Sequence, residues 1–160
     1  MSDVIRKVRL LVISSRFHPT VGGAERQGLE LALSLRERLA PVAVVTLHDP
    51  RRGARCGFTP VPIFGVESPR VRVIGPFLAY LRGILVLRRL AARRPAAAQL
   101  QTLDPFTLAL GLASAAMRLP LIVRISGAYE MNLGYLSSRR GIRVCMARWL
   151  LRRADRVIVL

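Results

Sequence analysis

Two adjacent glycines, Gly22 and Gly23, stand where a strand-like apolar run gives way to a helical pattern. Glycine has no Cβ, so the backbone here can approach a ligand closely. The first N–H groups of a helix have no partner within that helix, and they suit an anion such as a phosphate. The same residues also fit a plain tight turn between a strand and a helix, which needs no ligand.

A second group of polar residues follows another apolar run, Leu121 to Ile125, which predicts a buried strand. Ser126 and Gly127 end that strand at what we expect to be the carboxyl edge of a sheet. The loop that follows contains three further polar side chains: Tyr129, Glu130 and Asn132.

The elements that position both groups alternate along the chain. Val8 to Ile13 predicts the first strand, a helix runs from Ala24 until Pro41 stops it, and Pro41 to Leu47 predicts a strand beside the first. Further strands are predicted at Val61 to Phe64 as a small edge element, Val71 to Ile74, Ala96 to Thr102, Leu121 to Ile125 and Ala154 to Leu160. Further helices are predicted at Phe77 to Arg94, at Thr107 to Arg118 with Asp104 and Pro105 as its start, and from Ile142 onward. This alternation predicts an α/β fold with a doubly wound, mainly parallel Rossmann-like sheet and helices on both faces.

The last helix has apolar residues at helical spacing, which predict its buried face. They are Ile142, Cys145, Met146, Trp149 and Leu150. A tryptophan on such a face is more often part of the core than a stacking surface for a ligand.

The helix Phe77 to Arg94 is aliphatic except for a stripe of Arg82, Arg89 and Arg93. A basic amphipathic helix of this kind can lie on an anionic membrane, with Phe77, Tyr80 and Leu81 below the headgroups. The alternative is a helix that covers the sheet and keeps its arginines in water.

The composition indicates one globular domain of 160 residues, 52% hydrophobic, with a net charge of +17. All but one of the 26 basic residues are arginine, which predicts attraction to phosphates of a ligand, a lipid or a nucleic acid. The arginines are spread over several helices without interleaved aromatic residues, and this disfavours a nucleic-acid-binding module.

The cysteines and histidines are few and far apart: Cys56, Cys145, His18 and His48. They give no zinc spacing and no disulfide framework, so the sequence predicts no metal site and fits a reducing cytoplasm. No signal peptide and no membrane-spanning run is predicted.

Three stretches resemble the family 4 type glycosyltransferases. FHPTVGGAERQGLELALSLRER is similar to their first loop and helix, PLIVRISG to a later strand, and RRADRVIVL to the strand after an amphipathic helix. The resemblance covers nearly the whole chain. Ser126 is a departure, because many relatives have histidine there, and serine cannot carry a proton near neutral pH. No catalytic residue is therefore carried over.

The resemblance implies a GT-B enzyme in which two Rossmann-like domains face each other across a cleft. The chain matches the N-terminal, acceptor-side domain, residues 1–160. It lacks the motif of the donor-binding domain, so we expect a truncated enzyme, or a half that works with another chain, inactive alone. A catalytically silent binding or membrane-docking half is the alternative.

The resemblance also implies retaining transfer from a nucleotide-sugar to an acceptor hydroxyl, with lipid-linked acceptors included, and with no metal or other cofactor. Gly22 and Gly23 are then the candidates for donor-phosphate binding. The candidates for acceptor binding are Ser126, Gly127, Tyr129, Glu130 and Asn132. The expected location is the cytoplasm, including the inner face of the membrane.

Overall fold

The computed structural model describes residues 9–17, 23–38, 41–48, 61–68, 74–92, 95–125 and 141–159. Within them lie six strands and four helices. In chain order these are β1 (Leu10–Ser14), α1 (Gly23–Arg38), β2 (Val42–His48), β3 (Ile63–Glu67), α2 (Ile74–Ala91), β4 (Ala97–Leu100), α3 (Pro105–Ala116), β5 (Leu121–Ile125), α4 (Ile142–Arg153) and β6 (Arg156–Val159). The strands form one sheet in the order β3-β2-β1-β4-β5-β6, and every neighbouring pair is parallel. The predicted doubly wound α/β fold is confirmed.

The direction of each crossover decides which face of the sheet its helix covers. Parallel crossovers are right-handed, so connections that run toward β3 and connections that run toward β6 place their helices on opposite faces. α1 packs with Val12, Val42 and Val44 on one face. Alternate residues of the same strands, such as Leu11 and Val45, face the core formed with α2, α3 and α4.

The start of α3 was predicted correctly from the pair Asp104 and Pro105. The Asp104 carboxylate accepts hydrogen bonds from the backbone N–H groups of Phe106 at 3.0 Å and Thr107 at 3.1 Å. Proline at the first helical position loses no hydrogen bond, because that N–H has no partner inside the helix. The helix therefore begins at Pro105, two residues before Thr107.

The predicted strand Val71 to Ile74 is wrong at its end, since Ile74 begins α2. Residues 71–73 lie outside the described part of the chain. Gly75 and Pro76 do not stop a strand here. They lie in the first turn of the helix, where proline is tolerated. The edge strand is instead β3, which extends the small edge element predicted at Val61 to Phe64.

The predicted buried face of α4 is correct only at Leu150. Val144, Ala147 and Leu150 are the buried residues, whereas Ile142 is 78% exposed and Trp149 is 49% exposed. The reason lies in the neighbouring helix, where Gly111 of α3 lets Leu150 approach closely. A close helix contact favours compact side chains over an indole.

Candidate functional site

The order of the strands reverses between β1 and β4, and this is where a doubly wound sheet opens a crevice at its carboxyl edge. β1 leads toward α1 on one side, while β4 and β5 continue in the other direction. The two central strands are tied together at this edge, because the Gln101 backbone N–H donates to the Ile13 carbonyl at 3.0 Å.

A buried arginine crosses this crevice. Arg124, near the end of β5, is only 7% exposed. Its guanidinium donates to the side-chain oxygen of Gln101 at 2.8 Å and to that of Gln27 in α1 at 2.6 Å. These are charge-assisted hydrogen bonds, and the planar fork of the guanidinium fixes their direction. Arg124 thereby joins the ends of β4 and β5 to the first turns of α1.

The bond from Arg124 also orients the Gln101 amide. With its oxygen engaged by the guanidinium, the Nε2 donor of this buried side chain has no hydrogen-bond partner among the described residues. Buried polar groups in folded proteins nearly always have one, so an unpaired donor is a candidate contact for a ligand.

A cavity of about 840 Å³ runs along the sheet beside α1. Its lining is mainly apolar, for example Leu10, Leu31 and Ile122, and includes Gln27 and Arg124. The volume lies within the range of small-molecule sites, which combine apolar walls with a few polar groups. The cavity exists because, in the described part of the chain, the crossovers toward β6 place their helices on the opposite face.

The structure describes few of the predicted site residues. Gly23 is the first residue of α1, as expected for the start of the helix. Gly22 lies outside the described residues, and so do the predicted acceptor contacts, namely Ser126, Gly127, Tyr129, Glu130 and Asn132. The donor and acceptor assignments therefore stay predictions.

Sequence reasoning missed the cluster of Arg124, Gln101 and Gln27. A signal for it was present, because an arginine interrupts the apolar strand LIVRI and two glutamines interrupt the stretch AAAQLQT. A charged or amide side chain within a buried strand needs a hydrogen-bond partner, and Arg124 has such partners in Gln101 and Gln27.

Two other features concern metals and membranes. Within the described ranges, no three histidine, cysteine or acidic side chains come together as a metal site would require. None of the described helices has the length and apolar character needed to cross a membrane.

The sequence from residue 22 to residue 160 matches the model of the glycosyl transferase 4-like domain. The chain belongs to this family. The match to this domain begins at Gly22, the first of the two glycines singled out above, and includes the strand that carries Arg124. No protein of curated function matches the sequence significantly.

Solved structures share the fold of this glycosyl transferase 4-like domain. Acinetobacter baumannii MurG superposes with a TM-score of 0.62 at 14% identity, over 94% of this chain and 41% of that chain. Anabaena HepE in complex with UDP and glucose gives 0.61 at 16% identity, over 93% and 37%. Phytolacca americana UGT2, complexed with UDP-2-fluoro-glucose and pterostilbene, gives 0.54 at 13% identity, over 96% and 48%.

The chain thus spans less than half the length of these solved proteins. Its six-stranded parallel sheet has the architecture of the N-terminal domain of a GT-B glycosyltransferase. The expected family and fold are confirmed.

Proposed function

We propose that this domain forms the acceptor side of a glycosyltransferase that moves a sugar from a nucleotide-sugar to an acceptor hydroxyl with retention of configuration. The observation that carries the proposal is the family match over residues 22–160. The acceptor is a glycan or a lipid-linked hydroxyl, and the reaction belongs to glycan or glycolipid biosynthesis in the cytoplasm. The donor pocket lies on a second domain, in the same polypeptide or in another chain.

The proposed sugar transfer depends on positive dipoles near the departing phosphate more than on a strong base. As the sugar is transferred, its bond to the diphosphate breaks and charge develops on the departing phosphate, while the sugar gains oxocarbenium character. We assign Gly22 and Gly23 to that phosphate, because α1 begins at Gly23 and its first N–H groups are free of helical partners. No metal ion is needed in this scheme.

The acceptor residues follow β5 at the same edge of the sheet. Ser126 and Gly127 come directly after Ile125, and the other assigned contacts are Tyr129, Glu130 and Asn132. The bond between Arg124 and Gln27 supports this grouping, because it fixes the strand that leads to the acceptor residues against the helix that begins at the phosphate residues. Arg124 is thus a positioning residue. The proposed contacts to the donor phosphate and to the acceptor come from the two sides of the crevice.

A transfer assay tests the proposal. The purified chain is incubated with a panel of nucleotide-sugars and acceptors, with and without a donor-binding domain supplied in the same polypeptide or separately. We expect no turnover by the chain alone and transfer when both domains are present. Transfer by the chain alone would place the donor pocket here, and no transfer by the folded pair would overturn the function.

Gly22→Ala and Gly23→Ala provide the control for the site in that two-domain enzyme. If the glycines admit the phosphate, an added methyl group obstructs the donor even in folded protein, so donor affinity falls while thermal unfolding is little changed. If they serve turn geometry alone, stability falls and the affinity of the folded fraction is unchanged. Folded variants with undiminished affinity and turnover would leave the turn a structural feature.

A non-catalytic half is the second candidate. It would bind an acceptor or a membrane and depend on a separate donor-domain chain, and the exposed surface of α2 and α4 favours it. This candidate predicts membrane binding without transfer in every pairing of the assay.

A further inference from the structure

The helix α2 has two apolar faces. One is buried against the sheet and α3 and includes Ala79, Leu87 and Leu90. The residues on the opposite side are exposed, Phe77 by 60%, and follow helical spacing: Ile74, Phe77, Leu81 and Leu85. A helix at the surface of a globular domain ordinarily presents polar residues opposite its core, so this outer stripe is unusual. Of the residues that we expected below the headgroups, Phe77 and Leu81 are on it, while Tyr80 packs toward Phe106.

The helix α4 repeats the arrangement. Its outer side carries Ile142, Cys145 and Trp149, all exposed, opposite the buried Val144 and Leu150. α4 and α2 lie on either side of α3 in the same layer, so the two stripes face away from the sheet together. We call the outer surface of this layer, formed by the stripes of α2 and α4 and the arginines beside them, the outer helical face.

The charge of the outer helical face has one sign. The helices α2, α3 and α4 contain no aspartate or glutamate. Their seven arginines are all exposed: Arg82, Arg88, Arg89, Arg143, Arg148, Arg152 and Arg153. On α1, across the sheet, three glutamates balance three arginines. The positive charge is therefore concentrated where the apolar stripes are exposed.

We propose that the outer helical face docks on an anionic lipid bilayer. Apolar side chains at the crest of each helix enter the boundary between headgroups and acyl chains, and arginines beside them reach the lipid phosphates. A nucleic acid would use the arginines but leave Phe77 and Trp149 without a role. A second copy of the chain would bring two such cationic faces together, which like-charge repulsion disfavours.

The single tryptophan of the chain provides the measurement, because Trp149 lies on the proposed contact. The chain is mixed with phosphatidylcholine vesicles, with and without phosphatidylglycerol, and followed by co-sedimentation and tryptophan fluorescence. Neither donor nor acceptor is present, so the result does not depend on the proposed function. We expect binding to the anionic vesicles, a blue shift of the emission, and quenching by brominated acyl chains.

Two double variants separate the contributions. Arg82→Glu with Arg89→Glu removes two attractions of about fivefold each, so we expect binding at least roughly 30-fold weaker. Phe77→Ser with Leu81→Ser should abolish the insertion while leaving part of the electrostatic attraction. Arg36→Glu is the matched control, because this exposed arginine lies on α1 across the sheet, and it should bind nearly as tightly as wild type.

Several results would overturn the proposal. One is equal binding of the wild-type chain to neutral and anionic vesicles. Another is binding of the variant Arg82→Glu with Arg89→Glu to anionic vesicles as tightly as wild type. Absence of quenching by brominated lipids with the wild-type chain would exclude insertion without any variant. If the chain sediments as a dimer and the double variant Phe77→Ser with Leu81→Ser sediments as a monomer, the outer helical face is an interface with a second copy. Salt-sensitive binding to duplex DNA without vesicle binding would assign it to nucleic acid.

Discussion

The two faces of the sheet are covered in different ways. Three helices cover one face and pack on it around a core whose buried residues include Leu100 of β4 and Phe106 and Leu110 of α3. On the other face, one described helix, α1, lies beside a cavity of about 840 Å³. The cause is topological, since the described crossovers toward β6 all place their helices on the first face.

The difference shows how one domain separates two tasks. The face beside α1 keeps room for a ligand and holds the cluster of Arg124, Gln101 and Gln27 at the carboxyl edge. In the described part of the chain, the three-helix layer packs around buried residues such as Phe106 and Leu110, and its distinctive chemistry lies on its outer surface. The packing beside α1 is thus expected to tolerate change better than the packing of the three-helix layer.

The largest effect is expected where α3 approaches the sheet. A Cβ at Gly111 would lie 2.7 Å from Leu100 Cδ1 and 3.0 Å from Leu150 Cδ1, and both leucines are completely buried. Because neither can swing into solvent, we expect Gly111→Leu to lower the free energy of unfolding by about 3 kcal/mol. Denaturant unfolding followed by circular dichroism measures it.

The control for that substitution is Ala116→Leu, at an exposed position near the end of the same helix. It adds similar apolar surface without overpacking and should change stability by less than about 0.5 kcal/mol. Equal stability of the two variants would show that the three-helix layer is not the tightly packed face.

An intermediate effect is expected at the polar cluster on the other face. Arg124→Met keeps much of the buried stem but removes both hydrogen bonds. Gln27 is exposed and can bond to water, whereas Gln101 is 3% exposed and its oxygen loses its partner. We expect a loss of about 2 kcal/mol from that unpaired group. Arg143→Met, an exposed arginine of α4, should cost less than about 0.5 kcal/mol, and a similar loss in both variants would contradict a special role for Arg124.

The fold could be predicted because its signals are local and repeated. Apolar runs mark the buried parallel strands, and Asp104 with Pro105 marks the start of α3. The predicted boundaries were wrong where one residue type serves two roles, as at Pro76, which can end a strand or lie in the first turn of a helix.

The outer helical face was harder to predict because periodicity does not distinguish two apolar stripes on one helix. Ile142, Cys145 and Trp149 share the spacing of a buried face with Leu150, yet the structure exposes all three and buries Val144 and Ala147 beside Leu150. Which stripe is buried depends on the shape of the neighbouring helix, and the sequence of α4 alone does not contain that information. The cluster around Arg124 was missed for a similar reason, since its three residues are distant in sequence.

The smallest effect compares two glycines in helix interiors on opposite faces. A Cβ at Gly28 of α1 would lie 3.4 Å from Phe17 Cε2, an ordinary contact, whereas at Gly83 of α2 it would lie 3.0 Å from both Leu110 Cδ1 and Phe106 Cε2. Glycine to alanine gains roughly 0.5 to 1 kcal/mol of helix propensity at either position, so that term is the same for both. What differs is the packing, because Leu110 and Phe106 must shift inside a filled core while Phe17 need not move.

We therefore expect Gly28→Ala to stabilise the protein by about 0.5 kcal/mol and Gly83→Ala to give no gain. Thermal and denaturant unfolding of the two variants beside wild type measure the difference directly. Because the helix propensity term cancels between them, the remaining difference reports how tightly each face is packed. If both variants gain the same stability, the three-helix layer accommodates an added methyl group as easily as α1 does. The proposed contrast in packing between the two faces is then wrong. If Gly28→Ala instead lowers stability, α1 is packed against Phe17 as tightly as α2 is packed against its neighbours. The free space beside α1 is then confined to the cavity.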